Sequence, residues 1–376
     1  VSTLKTINVI HPSSASNNIV LDSSGNFTTA GSMVAGSSYA WRNRIINGDM
    51  RIDQRNGGAS ITPTDGAYTL DRWVSYNTQT SKYTVQQNAG SVTPPSGFSN
   101  YFGVTSSSAY SVTASDTFSI VQNIEGLNTS DLAWGSASAL AVTLSFWVRS
   151  SLTGTFGGAI GNSALNRSYP FTYTISAANT WEQKTVTISG DTSGTWLTNN
   201  GIGLRVWFSL GAGSTYLGTA GAWAATDRRG ATGQTSVVGT NGATWYVTGV
   251  QLEPGTVATP FERRDYGREL ILCQRYTYVI RSNSAFTPYA VGHGTTTTSI
   301  RVMMQMPVTM RGTPTISTSG TFIVGFGNAA TPASLAANSF NTVSFDCSTT
   351  GVSAFGSYML TDAGSNNSSI TLSAEL

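Results

Sequence analysis

Between residues 41 and 262, apolar and polar side chains alternate at period two in one segment after another, and this limits the fold more than any other feature of the chain. In LSFWVRSS, Leu144, Phe146 and Val148 fall on one side of an extended backbone, and Ser145, Trp147 and Arg149 fall on the other. GIGLRVWFSLG sets Leu204, Val206, Phe208 and Leu210 against Arg205, Trp207 and Ser209 in the same way. Successive side chains of a strand point to opposite faces, so these segments read as half-buried strands and not as helices. TFSIVQNIEGL lines up Phe118, Ile120, Gln122 and Ile124, while TWEQKTVTISG and TWYVTGVQLEPG add two more strands, the last carrying Val250 and Leu252. Many short strands separated by turn residues indicate a β-sandwich or jelly roll.

Charge marks the boundaries of this region. Only 10% of the 376 residues are charged, against roughly 25% in an average soluble domain, so polarity rests on Ser, Thr, Asn and Gly. Five arginines (42, 44, 51, 55, 72) and four aspartates (49, 53, 65, 71) crowd into residues 42–72, a second dense patch runs from Glu253 to Arg281, and the segment beyond is nearly uncharged. Three parts and a connector follow. Residues 1–40 form an N-terminal attachment or oligomerisation arm with one short hairpin, which needs packing on its own body, on sister chains or on another protein to be ordered. Residues 41–262 form the jelly roll. Residues 263–280 form a connector holding the one helical stretch, YGRELILCQRY, and residues 281–376 form a second, smaller β-sandwich. The expected class is all-β with a single short helix.

Several chemistries are disfavoured. A net charge of +2 gives no electrostatic case for nucleic acid. No apolar run is long enough for a membrane span, and residues 1–30 lack the order of a secretory signal. Cys273 and Cys347 read as two buried free thiols. With His11 and His293 as the only histidines, a Ser-His-Asp triad would have to use His293 in VGHGT, a Gly-flanked turn with no nucleophile motif around it, no Cys or His lies near another as a metal cluster needs, and no cofactor fingerprint is present. Asp22, Ser24 and Asn26 imitate a calcium loop, but the required Gly and distal Glu are out of place.

The strings WRNRIINGDMRIDQRNGG, YTLDRW, QNIEGLN, LSFWVRSSLTGTF and TGVQLEPGTVATPFERRDYGRELILCQRY occur in this order between about 40 and 280. Together they resemble a family of tailed-bacteriophage tail-fibre or virion structural proteins, whose members look like jelly-roll modules of the carbohydrate-binding kind. The opening STLKTINVI is similar to the start of fibre proteins of cyanobacterial phages. The resemblance implies a virion protein that attaches to other virion subunits through its arm, assembles as a homotrimer and meets host surface polysaccharide. A head-decoration or tail-assembly protein that binds no glycan, or a polysaccharide depolymerase, is the alternative.

Candidate sites follow from the alternation. If strands 144–150 and 204–210 share a sheet, Trp147, Arg149, Arg205 and Trp207 form one outward face. Indoles that stack on sugar rings and guanidiniums that bond hydroxyls or carboxylates make this the expected glycan site; the competing reading is a covered face with Arg stacked on Trp. Trp73 in LDRW anchors the core, whereas Trp134, Trp196 and Trp223 sit in loop contexts that fit either a binding rim or packing of loop bases. Asp49, Asp53 and Asp71 could tempt a glycosidase reading, but each has an arginine nearby, which favours the ionised form and leaves no general acid. No catalytic residue is expected. Arg263, Arg264, Asp265 and Glu269 read as an ion-pair seam fixing the angle between the two β domains.

Overall fold

The structure is a computed structural model. It describes residues 41–325 and 327–376 (333–338 as backbone only) and the backbone of residues 8–9, 19–21 and 27–29. The chain divides into two units, Val1–Arg42 and Asn43–Leu376. In the first, β1 (Asn8–Val9), β2 (Ile19–Leu21) and β3 (Phe27–Thr29) pair antiparallel in that order, with Leu21 opposite Phe27. β2 and β3 are the strands of the expected hairpin. His11 and the calcium-like Asp22, Ser24 and Asn26 lie outside the described residues.

In the second unit the alternating segments become β4 (Ala67–Leu70), β5 (Trp73–Asn77), β6 (Tyr83–Gln87), β7 (Phe102–Ser106), β8 (Thr117–Glu125), β9 (Val142–Ser150), β10 (Gly154–Gly161), β11 (Ser168–Ile175), β12 (Glu182–Ile188) and β13 (Ile202–Ala212). A short parallel pair follows, β14 (Leu217–Gly218) and β15 (Gly230–Ala231), and then β16 (Thr244–Pro254). They build a six-stranded sheet, β11-β10-β13-β8-β5-β4, and a five-stranded sheet, β12-β9-β16-β7-β6. The alternation decides which side chains meet between them: Leu144, Phe146 and Val148 of one sheet and Leu204, Val206, Phe208 and Leu210 of the other enter a single core with Phe118, Ile120, Ile124, Val250 and Leu252. Trp73 is fully buried there, its indole N–H donating to the Asn47 carbonyl at 3.1 Å.

Helix α1 (Tyr266–Gln274) falls in the expected stretch, with the Asp265 carboxylate accepting from the Arg268 amide at 2.9 Å as its N-cap. The remaining strands are β17 (Thr277–Arg281), β18 (Pro288–Gly294), β19 (Ser299–Gln305), β20 (Thr315–Ser319), β21 (Phe322–Val324), β22 (Asn328–Asn338), β23 (Thr342–Ser348), β24 (Ser357–Asp362) and β25 (Ser369–Ser373). Six of them close into a barrel, β18-β19-β23-β22-β21-β24, and β17-β25-β20 form a three-stranded sheet. Ile370 and Leu372 of β25 share a core with Ile300, Val302, Phe345 and Leu360 of the barrel, so the three-stranded sheet packs on a closed barrel where the sequence led to a second sandwich. The protein is all-β with one short helix.

Both cysteines are buried free thiols, and burial raises the thiol pKa of Cys347 to about 12. No helix among the described residues is long and apolar enough to cross a membrane. Among those residues no group of three or more His, Cys, Asp or Glu side chains is placed to hold a metal ion.

Candidate functional site

The expected four-residue face does not form. β9, which carries Trp147 and Arg149, lies in the five-stranded sheet, and β13, which carries Arg205 and Trp207, lies in the six-stranded one. Alternation fixes which face of its own sheet a residue occupies, but says nothing of which sheet the strand joins. Trp207 is 2% exposed, covered in a small outer core with Val74, Val121 and Ala159 against Tyr68, Tyr76 and Leu165, and the Arg205 guanidinium lies 5.9 Å from its ring. That half of the proposed platform is packing.

The other half stands on the outer face of the five-stranded sheet. There Trp147 lies opposite Gln183 of β12 on one side and Thr248 of β16 on the other, and Arg149 lies opposite Tyr246. Trp181 comes one residue before β12 begins. The Arg149 guanidinium sits 5.6 Å from the centre of the Tyr246 ring, and its Nε donates to the Asn179 carbonyl at 2.9 Å. Tyr246 packs on Tyr101 at 5.1 Å, and Tyr101 meets Trp181 edge-on at 5.5 Å. Tyr101 and Tyr246 are buried and form a floor, over which Trp147, Arg149 and Trp181 remain partly exposed beside the exposed Gln183 and Thr185.

Trp147 differs from most of the other indoles. The N–H groups of Trp73, Trp134, Trp181, Trp196, Trp223 and Trp245 each donate to a protein oxygen. Trp147 has neither a ring partner nor an acceptor for its N–H among the described residues. A flat ring with an unspent donor, flanked by a guanidinium and an amide, can stack on an apolar sugar face while its neighbours bond the hydroxyls. Sequence reasoning missed Trp181 as part of this face, although it shares the phase of Gln183, Thr185 and Thr187 in TWEQKTVTI.

The loop tryptophans gather at another place. Trp134, Trp196 and Trp223 meet edge to face with ring centres 4.7–5.6 Å apart, and the Arg167 guanidinium lies 5.8 Å from Trp223. Arg167 is itself locked by two bonds to Asp191, at 2.6 and 2.7 Å. With all three indole N–H groups bonded to backbone carbonyls, this is packing of loop bases, one of the two expected roles.

The aspartates of residues 42–72 require a correction. Nearby arginines do not hold all of them ionised, because burial outweighs the arginine attraction at Asp49 and Asp71 and raises both carboxyls, Asp71 to about 7. Asp71 is nonetheless sealed, 1% exposed and bonded by the Gln54 amide and side chain. Asp49 pairs with Arg51 at 2.5 Å, and Asp53 caps its own turn by accepting from the Asn56 and Gly58 amides. His293 lies within β18 opposite Arg301.

The expected interdomain seam is also redistributed. Arg264 and Glu269 do pair, at 3.3 Å, but they bind the loop at the start of the sandwich: Arg264 donates to the Asn43 and Ile45 carbonyls, and Glu269 accepts from the Asn47 amide. Asp265 caps the helix. Arg263 is exposed, with its guanidinium 4.6 Å from the Phe98 ring and 5.7 Å from the Phe261 ring. The groups that join the two β structures come from elsewhere. Glu125 accepts from Arg275 and from the Tyr276 hydroxyl, both at 2.6 Å. Glu375 takes Arg72 and Arg55, and Arg311 donates to the Ala374, Glu375 and Asn200 carbonyls.

No protein-family model matches the chain, and no curated protein sequence does. Among solved structures it is similar to the enzymatically active domain of tailspike protein 4 of bacteriophage CBA120, at 12% identity over 57% of this chain and with a TM-score of 0.30. The chain spans about a fifth of that protein, 21% of its length. It is also similar to a family 11 carbohydrate-binding module of Clostridium thermocellum in complex with a β-1,3-1,4-mixed-linked tetrasaccharide, at 12% identity over 54% of this chain and 100% of that one, TM-score 0.26. A third similar structure is the N-terminal cellulose-binding domain of Cellulomonas fimi β-1,4-glucanase C, at 14% identity over 50% of this chain and 90% of that one, TM-score 0.24.

Proposed function

We propose that the chain is a bacteriophage virion structural protein, a tail fibre that binds a host-surface glycan without cleaving it. The Trp147 face carries the glycan part of this reading: a partly exposed indole with a free N–H, set between Gln183 and Thr248 and followed by Arg149 and Trp181 over an aromatic floor. The ordered strings between 40 and 280 support the virion part. Binding without cleavage is preferred because Asp49, Asp53 and Asp71 are committed to an arginine, a turn and a buried amide network.

The fibre reading extends to self-association through the barrel and to attachment of the N-terminal arm to other virion subunits. On the outer barrel wall Val291 pairs with Met303 on one side and Met359 on the other, and the three are 64%, 59% and 44% exposed. Copies of this chain are the partner, since the charged side chains around this row are already engaged. Arg301, two residues before Met303 on β19, holds Asp346 of β23.

The glycan reading is tested by binding of host-type polysaccharides to the full chain. Trp147→Ala and Trp181→Ala each weaken binding roughly tenfold through loss of a stacking ring, while Arg205→Ala, on the other sheet, leaves it unchanged. A Trp147→Ala, Trp181→Ala double variant that binds like wild type removes the site.

A further inference from the structure

A cleft of about 240 Å³ opens where Asp49, Arg51, Phe98, Ser99 and Arg263 converge. That is smaller than the roughly 300–1,000 Å³ of pockets that enclose drug-sized ligands, and suits one sugar residue or one substituent. Its charge is uneven. Asp49 is neutralised by Arg51 at 2.5 Å, and Arg264 by Glu269 at 3.3 Å. Arg263 has no carboxylate within 4 Å among the described residues. Its guanidinium is instead fixed in the angle between Phe98 and Phe261, whose rings meet edge-on at 5.3 Å. Gly97, at φ +83°, lets it lie so close, because a Cβ there would come within 2.9 Å of the guanidinium nitrogen. Asp49, the carboxylate of the cleft, acts on Arg263 at longer range but is already held by Arg51, and a guanidinium seated on two rings without a direct ion pair is a receptor for an oxyanion.

The cleft adjoins the Trp147 face through a single segment, residues 98–101. Phe98 packs on Gly249, whose φ of +61° forms the irregularity in β16 just after Thr248. The Thr248 hydroxyl donates to the Asn100 carbonyl at 2.7 Å, and Tyr101 touches both Tyr246 and Trp181. Thr248 is the neighbour of Trp147 across the sheet.

We propose that the glycan held on this face is anionic, and that a carboxylate it carries is bound by Arg263 while a neighbouring ring stacks on Trp147 and Trp181. The inference rests on the glycan-binding reading of that face and adds the ligand class. The carboxylate can belong to a uronic acid in the backbone or to an acyl or ketal substituent, and the test separates these sources.

The full chain is titrated with polygalacturonate, alginate and hyaluronan, with a pyruvylated and a succinylated polysaccharide, and with the carboxyl-reduced or deacylated form of each. The expected result is binding to at least one acidic polymer, weakened about tenfold or more when its carboxylates are removed, as loss of a charge-assisted hydrogen bond requires. Arg263→Gln produces the same loss on the acidic polymer and none on its neutral form, and Arg263→Lys restores part of it. Trp147→Ala weakens both forms. Arg263 is exposed and lacks an ion pair, so these variants keep the fold, which an unchanged melting temperature verifies. Equal binding of acidic and neutral forms, or indifference to Arg263→Gln, overturns the anionic assignment and leaves the glycan reading standing. No binding to any acidic or neutral polymer overturns both.

Discussion

Asp71 shows how burial can reverse the effect of a neighbouring cation. Arg55 draws its carboxyl down and Gln54 bonds it, yet removal from water is the larger influence, and the group is neutral up to about pH 7 in the fold. In the unfolded chain it ionises near 3.8. The native state therefore holds more protons than the unfolded state between those values, and this group's contribution to stability is full below about pH 4 and is lost as pH rises toward 7. Asp71→Asn is expected to flatten the fall of melting temperature across that window, and an unchanged slope would show that Asp71 is ionised in the fold. The sequence showed the acid beside its arginines but not the 1% exposure that decides between them. Trp147 and Trp207 make the same point in LSFWVRSS and GIGLRVWFSLG. Local alternation treats the two alike, whereas Tyr68, Tyr76 and Leu165, all distant in sequence from Trp207, bury one ring and leave the other open.

At the scale of elements, the strands were legible because side-chain phase is a local property, and their partners were not because pairing is long-range. β9 pairs with β16 about a hundred residues later, and β13 pairs with β8 about eighty residues earlier. β18, β20 and β22 are among the strands the sequence marks weakly, since PYAVGHG, TISTS and NAATPASLAAN carry little contrast between their two faces. Helix α1 was legible from its helix formers, but the Asp265 before it was read as an ion-pair partner when its work is to satisfy the Arg268 amide. The two roles predict different outcomes. As a cap, Asp265→Asn is nearly neutral and Asp265→Ala costs about 1 kcal/mol, because Asn also accepts from the first-turn amides and Ala does not. As a charge partner, Asn and Ala would be equally costly and the cost would fade with salt. Urea unfolding of the two variants at low and high salt distinguishes them.

At the scale of the whole molecule, the sandwich and the barrel are held by buried charge and by the last residues of the sequence. Arg72 is fully buried between Tyr276, 3.6 Å from its guanidinium, and Glu375, while the Leu376 carbonyl accepts from Tyr68 and Asn123. On the barrel wall, Arg301 and Asp346 pair with each other. A closed barrel also has no free strand edge to extend, so copies cannot join it by adding strands and must meet through side chains. The Met303–Val291–Met359 row is an exposed apolar feature suited to that contact, and covering it removes hydrophobic surface from water. Sedimentation of the full chain is expected to give a mass above one copy, and a Val291→Lys, Met303→Lys double variant is expected to return it to 39.5 kDa while its melting temperature stays that of the wild-type monomer. Both side chains point outward, so lysine there adds like charge across the contact without entering the barrel core. A wild-type chain that sediments as a single copy at all concentrations, or a double variant that assembles unchanged, would show that this wall is not where copies meet.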